Sequence, residues 1–240
     1  MIQVFKFLKR MKRIHSEYQE IFMTWRNRRL IKKHKICFIE PNYLFLPIFK
    51  SGDIIIDVGC GFDADLSVAL IKKYGIKSFG IDPTKKHQEQ LRRLESYYKD
   101  SFFHLPIAVS FENGEFEFFE SEDNVSGSLL SEHKNVVSDK VRSYKVRSLT
   151  PNALLKEIGS ERAQYLKLDL EGAEYDLIFS NKKEFFVPFP QVFVEFHHGT
   201  VSQYSRKHTG KAVSILKNYG FLPFTVDGSS YLFFKPNTTR

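Results

Sequence analysis

From about residue 53 onward the apolar positions of the chain alternate between two periods. "DIIIDVG", residues 53–59, is a nearly continuous run of β-branched residues, the pattern of a strand buried on both faces of a parallel sheet. "ADLSVALIKKYG" then takes up helical spacing through Leu66, Ala69 and Leu70 and stops at Gly75, where a helix-ending glycine belongs. "KSFGID" predicts a second strand, and "TKKHQEQLRRLESYYK" a second helix with Thr84 as its N-cap. "SFFHLPIAVS" predicts a third strand, and "ENGEFEFF" a hairpin turning at Asn113-Gly114. Residues 120–142 are polar and aperiodic, the pattern of a mobile loop. Beyond "YKVRSL" come a helix over "PNALLKEIG", with Pro151 suited to its first turn, and the strand "QYLKLDL". A helix "AEYDLIF", a strand "QVFVEF" and a helix "KAVSILKNYG" come next. The closing "FLPFTVDGSSYLFFK" sets two apolar runs about an Asp227-Gly228 turn, an antiparallel hairpin. The fold class expected is a Rossmann-like, mainly parallel α/β sheet with helices on both faces and a C-terminal antiparallel hairpin.

A different pattern precedes this body. Val4, Phe7, Met11, Ile14, Tyr18, Ile21 and Trp25 recur at steps of three and four, one apolar stripe on a helix, while Lys6, Lys9, Arg10, Lys12 and Arg13 fall off it. Residues 1–35 hold 11 Lys or Arg against Glu17 and Glu20, a net of +9; the rest of the chain holds 25 against 26, a net of −1. The overall charge of +8 therefore belongs to the appendage. Such a helix packs on its own domain or a partner copy, or lies on anionic lipid as a peripheral membrane element. Nucleic acid is disfavoured, because the body carries no basic patch or aromatic-interleaved motif to extend the contact. "CFIEPNYLFLPIFKSG" reads as a linker, so the chain divides into residues 1–45, helix and linker, and a catalytic-type domain over residues 46–240.

Composition adds few constraints. At 42 % apolar and 27 % charged residues, the chain is of the ordinary globular class. Cys37 and Cys60 have no disulfide or metal spacing, and no run of about 18 apolar residues occurs. A cytoplasmic protein is expected.

The chemistry starts at "DVGCGFDAD". Gly59, Gly61 and Ala64 satisfy the loose dinucleotide-binding spacing, and Asp82 ends the second strand where a ribose acceptor would stand. Charge discriminates between cofactors where spacing does not. A pyrophosphate on the turn would approach Asp57, and two like charges about 4 Å apart cost on the order of 4 kcal/mol at an effective dielectric of 20. Asp63 and Asp65 worsen the repulsion at the helix N-terminus. S-adenosylmethionine (SAM) carries an ammonium and a sulfonium and no phosphate, so the same carboxylates attract it. An NAD(P)-binding oxidoreductase and a non-catalytic interaction protein on the same fold remain the alternatives.

The D-V-G-C-G turn, its downstream acid and the final hairpin resemble the seven-stranded SAM-dependent methyltransferases. "YLKLDLEGAEYDLI", residues 165–178, is similar to the Lys-x-Asp-x-Glu-Gly-x-Glu signature of the FkbM methyltransferases, with "IAVSFENGEFEFF", "NVSGSLL", "VRSLTPNALLKEIG" and "VFVEFHH" in the order that family shows. The likeness spans roughly residues 52–235 and departs at Asp63, where a third glycine is common. It implies O-methylation of a small hydroxylated or glycan-type acceptor. The cofactor set is then Asp57, Gly59, Gly61, Asp82 and Ala108.

Asp169, Glu171, Glu195, His197 and His198 are the candidates to take the acceptor's proton. Asp169, Glu171 and His197 form the catalytic set, with His197 first because an unperturbed imidazole titrates near neutrality. Glu171 and Glu174 also suit a helix-capping role. The same groups could hold a divalent cation, although no local spacing requires a metal.

Overall fold

The computed structural model describes residues 25–39, 42–124, 126–134 and 140–236. The apolar stripe of Val4 to Ile21 lies outside the described residues. The described chain opens with a helix, α1 (Trp25–His34), and then a short antiparallel pair, β1 (Cys37–Ile39) and β2 (Tyr43–Phe45).

The central sheet contains β3 (Ile54–Val58), β4 (Lys77–Ile81), β5 (Phe102–Leu105), β10 (Tyr165–Leu168), β11 (Gln191–Glu195), β12 (Leu222–Thr225) and β13 (Ser230–Phe234). Its order is β12-β13-β11-β10-β3-β4-β5, with β13 antiparallel to both neighbours and the other pairings parallel. The chain thus lays down β3, β4 and β5 outward, then returns to place β10 on the other side of β3. That reversal opens a crevice at the carboxyl ends of β3 and β10.

Strand alternation sorts the core onto two faces. Ile56, Val58, Leu166, Leu168, Val192 and Val194 face α4 (Pro151–Glu157), α5 (Glu174–Phe179) and α6 (Arg206–Asn218). Ile55, Tyr165, Phe193, Leu232 and Phe234 face α1, β2, α2 (Asp65–Tyr74) and α3 (Gln88–Tyr97). A smaller sheet of β6 (Ala108–Val109), β7 (Gly114–Ser121), β8 (Gly127–Ser128) and β9 (Val141–Leu149) is inserted between β5 and β10. Its β8 edge leans over the crevice.

Several local expectations are corrected. The "linker" is core: Leu44, Phe45 and Leu46 are fully buried, Tyr165 Oη donates to the Leu44 carbonyl at 3.0 Å, and Leu46 N donates to Gln191 Oε1 at 2.7 Å. Each buried apolar side chain contributes roughly 1.5–3 kcal/mol, which draws even a proline-bearing stretch onto an uncovered sheet face. The single strand "SFFHLPIAVS" is broken at Pro106 into β5 and β6, which belong to different sheets. Asn113-Gly114 is not a hairpin turn: β7 pairs antiparallel along its whole length with the distant β9, and Asn113 Oδ1 accepts from Thr150 N instead. Part of the polar stretch of residues 120–142 is ordered as β8 and the ends of β7 and β9. Thr84 makes no side-chain cap bond; a 3₁₀ turn over Lys85–His87 comes between it and α3. By contrast Gly75 ends α2 in the left-handed conformation, as its position predicts.

Candidate active site

The crevice holds a cavity of about 240 Å³. The glycine turn after β3 forms its floor. Gly59 has φ +71°, and a Cβ there would lie 1.9 Å from the Asp169 carbonyl oxygen, so the two strand ends approach as closely as they do only because the residue lacks a side chain. Gly59 and Gly61 both line the cavity, as do Asp82 and Ala108.

Asp82 is 4 % exposed and held by its own neighbourhood. Thr84 N donates to Oδ1 at 2.8 Å, Gly61 N donates to Oδ2 at 3.0 Å, and His87 Nδ1 lies 3.1 Å from Oδ2. Burial alone would push this carboxyl up, but the bonds from His87 and Thr84 outweigh it and hold it below the usual range.

Asp57 requires a correction. It is fully buried and does not line the cavity; it sits beside Lys167 in the β3–β10 register, its Oδ1 3.3 Å from Lys167 Nζ, and Ser67 Oγ donates to Oδ2 at 2.6 Å. Its charge therefore faces a cation inside the protein rather than a cofactor. Lys167, equally buried, donates from Nζ to the Gly59 carbonyl at 2.7 Å and lies 3.4 Å from Asp169 Oδ2. Burial by itself would favour a neutral amine, yet Asp57 and Asp169 more than reverse this, so the lysine stays charged. Asp57 thus positions the glycine turn through Lys167. Sequence reading left Lys167 without a role; its placement between Leu166 and Leu168 in a buried strand was the signal, since a charge there needs a partner.

The electronegative pocket survives this correction through other residues. Asp63, Asp65, Asp82, Asp169 and Glu171 line the cavity, and among the described residues its lining contains neither Lys nor Arg.

The far wall comes from the loop after β10. Glu171 adopts φ +49°, a conformation unusual for a residue with a side chain. Its carboxylate lies 2.8 Å from His133 Nε2 and 3.4 Å from His197 Nε2. Burial would raise Glu171, but the bond from His133 and the charge of His197 prevail and lower it. Asp169 is raised by burial, which Lys167 and His197 offset only in part.

His197 does not line the cavity. Its Nδ1 is 3.3 Å and its backbone N–H 2.8 Å from Glu174 Oε1, and its Nε2 is 3.5 Å from Asp169 Oδ1. Burial opposes its charge, yet Glu174, Asp169 and Glu171 push it up to about 10. An imidazole pushed up to about 10 is mostly protonated at neutral pH, which argues against the general-base role expected of an unperturbed histidine. Glu174 is fully buried; no side-chain cap bond forms at the start of α5, and its carboxylate instead accepts from Gly172 N at 2.9 Å and anchors His197. His198 points elsewhere, its Nδ1 3.1 Å from Thr209 Oγ1. Glu195 is raised to about 7, first by burial and then by Asp169, and lies outside the cavity lining.

Two contributors escaped sequence reasoning. His133 lay in a stretch read as loop, and Tyr43, which lines the cavity beside Asp65, lay in the supposed linker. Among the described residues no group of three or more His, Cys, Asp or Glu side chains has the arrangement of a metal site.

The lining suits SAM: Asp63, Asp65, Asp82, Asp169 and Glu171 offer negative charge that would attract a cationic donor, Gly59 and Gly61 would allow close approach, and Asp82 would accept from ribose hydroxyls. No curated protein sequence matches the chain. In fold it is similar to a precorrin-6y C5,15-methyltransferase from Geobacter metallireducens (TM-score 0.44, 8 % identity, 78 % of this chain and 82 % of that chain). It is also similar to a fibrillarin pre-rRNA processing protein from Methanococcus jannaschii (TM-score 0.46, 12 % identity, 85 % and 84 %). A third likeness is to fibrillarin from Aeropyrum pernix with natively bound SAM (TM-score 0.43, 10 % identity, 79 % and 68 %). The model of the methyltransferase FkbM domain matches residues 22–223, so the family's extent includes α1 and the β1–β2 pair rather than beginning near residue 52. The chain belongs to the FkbM methyltransferase family, and its class of activity is SAM-dependent methyl transfer.

Proposed function

We propose that the protein O-methylates a hydroxyl of a small or glycan-type acceptor, with Gly59, Gly61, Asp82 and Ala108 on the donor side and Asp169 and Glu171 on the acceptor side. The observation that carries this reading is the cavity lining, which among the described residues offers carboxylates and no Lys or Arg. Bound SAM supplies an activated methyl group on a sulfonium. The new C–O bond forms as the S–CH₃ bond breaks, and the acceptor's proton must go to a base.

Asp169 takes that proton. It lines the cavity, burial raises its affinity for a proton, and Lys167 and His197 on either side keep it ionised until the acceptor arrives. His197 is the positioning cation that holds Asp169 and Glu171 apart from each other's charge. The Cys60 thiol, buried and pushed up first by burial, is no competing nucleophile.

The test is incubation with methyl-labelled SAM and a panel of hydroxylated sugars, followed by mass spectrometry. The expected product is an acid- and alkali-stable sugar ether. Label found only on nitrogen or on a nucleobase would overturn the acceptor class. Asp169→Asn should abolish the ether while leaving SAM binding by calorimetry within about threefold, as expected for a group acting on the reacting proton.

A further inference from the structure

α1 lies beside β12, which among the described residues is an outermost strand of the central sheet. Near its start Asn27 Nδ2 donates to the carbonyl of Thr225, the last residue of β12, at 3.1 Å. At its end the His34 ring lies 4.8 Å from that of Phe234, which pairs with Gln191 at the opposite end of the sheet. β12 runs in the same direction as β11, so Thr225 stands at the carboxyl pole where the cavity opens. The chain therefore enters α1 at the catalytic pole.

Two kinds of exposed side chain share this surface. Arg28, Arg29, Lys32 and Lys33 of α1, with Lys35 after it, are exposed, and α1 contains no acid. On β1 just after α1, and on the strand and turn around Thr225 that Asn27 of α1 touches, Phe38, Leu222 and Val226 are 48 %, 37 % and 42 % exposed. Phe38 rests on Phe224 with ring centroids 6.4 Å apart, and Leu222 and Val226 flank Phe224 along the edge strand and the turn after it. The neighbouring acid, Asp227, is turned into its own loop, where its Oδ1 accepts from Ser229 N and Ser230 N at 2.8 and 2.7 Å. The sequence upstream continues both kinds of residue, with Lys6, Lys9, Arg10, Lys12 and Arg13 interleaved with Val4, Phe7, Met11 and Ile14.

Cations are drawn to anionic headgroups, and apolar tips beside them enter the acyl boundary. Residues 1–35 hold a net of +9 and residues 36–240 a net of −1, so the excess positive charge lies in α1 and the sequence before it and favours approach by that side. We infer that α1 and the Phe38–Leu222–Val226 patch form a docking surface for an anionic lipid bilayer. This surface is independent of the acceptor proposed above, and its failure would leave that reading untouched.

The experiment is sedimentation of the full chain with vesicles of phosphatidylcholine alone and of phosphatidylcholine mixed with phosphatidylserine, at low and high salt. Binding is expected to the mixed vesicles only and to be lost at high salt. Each cation near such a surface contributes about fivefold, so R28Q/R29Q/K32Q/K33Q should lose more than a hundredfold in affinity. F38S/V226S should lose about tenfold through the apolar contribution. Thermal unfolding checks that the variants fold; should the quadruple variant not fold, R28Q/K33Q replaces it, with a loss of roughly 25-fold expected on the same scale. No sedimentation with mixed vesicles at low salt, equal sedimentation with neutral ones, or undiminished binding by the charge variant each overturns the inference. So does binding through α1 to RNA, or to a second copy of the chain, with none to vesicles.

Discussion

The two sides of the cavity are built in opposite ways. On the proposed donor side Asp82 is held by the backbone N–H groups of Gly61 and Thr84, from two adjacent strand ends, and by the single imidazole of His87. On the acceptor side Glu171 is held by His133 from the inserted sheet's loop, and His197 by Glu174 and Asp169 from another crossover. Backbone donors keep their charge distribution at any pH, whereas a network of imidazoles and carboxylates changes with each proton. The donor side is thus a seat of backbone donors with one imidazole, and the acceptor side a larger electrostatic assembly of two imidazoles and three carboxylates. Lys167 joins them, donating to Gly59 on one side and pairing with Asp169 on the other.

The sharpest way to break this comparison is to remove the joint. Lys167→Met leaves the fully buried Asp57 without its cation and strips one of two cations from Asp169, and a loss of about 3–5 kcal/mol in urea unfolding is expected. An unchanged midpoint would show that the two sides are not coupled through it.

His197→Gln tests the acceptor side by pH. Its folded pKa of about 10 lies above the ordinary 6.5, so its contribution is complete below about pH 6.5 and is lost as pH rises through about 10. The variant should be less stable than the parent by on the order of 3–4 kcal/mol at pH 6, with the gap closing toward pH 10. Asp82, whose pKa is lowered, contributes stability that fades only as pH falls below the ordinary carboxylate range. Asp82→Asn should therefore differ from the parent by a constant amount over about pH 8–10, above the range in which an ordinary imidazole titrates. A pH-dependent gap in that variant would erase the contrast between the two sides.

Gly59→Ala sharpens the donor side. A Cβ at φ +71° and 1.9 Å from a backbone oxygen must displace the turn, with a cost of about 2 kcal/mol and at least a thirtyfold loss of SAM affinity by calorimetry. His133→Ala has the smallest expected effect, about 1–2 kcal/mol, because the half-buried Glu171 loses its nearest imidazole and keeps only His197 at 3.4 Å. Its signature is a raised KM for the acceptor with SAM affinity retained, and equal effects on both would place His133 on the donor side as well.

Donor-side residues were legible in the sequence because they come between a strand and a helix at short, fixed spacing. The acceptor signature, Asp169 to Glu174, was legible for the same reason, yet the electrical state of its members was not. His197 reads as a base in the sequence; the fold surrounds it with three carboxylates, Asp169, Glu171 and Glu174, all from the segment that follows β10. Asp57 seemed a cofactor contact until its register partner on β10 proved to be a lysine. The linker was misread because prolines mark irregular backbone but say nothing of whether an uncovered sheet face lies nearby. The Asn113-Gly114 turn failed because β9, far along the chain, competes for the strand it would have paired.

Local periodicity and short motifs by themselves determined the alternation of strands and helices, the closing hairpin, the glycine turn and the family signature, since each depends on residues within about one helix or strand of one another. The protonation of His197, the seclusion of Asp57, the role of Lys167 and the burial of residues 44–46 were decided only in three dimensions. Those properties depend on how much water is excluded and which distant charges arrive within a few ångströms, and neither quantity is a function of neighbours along the chain.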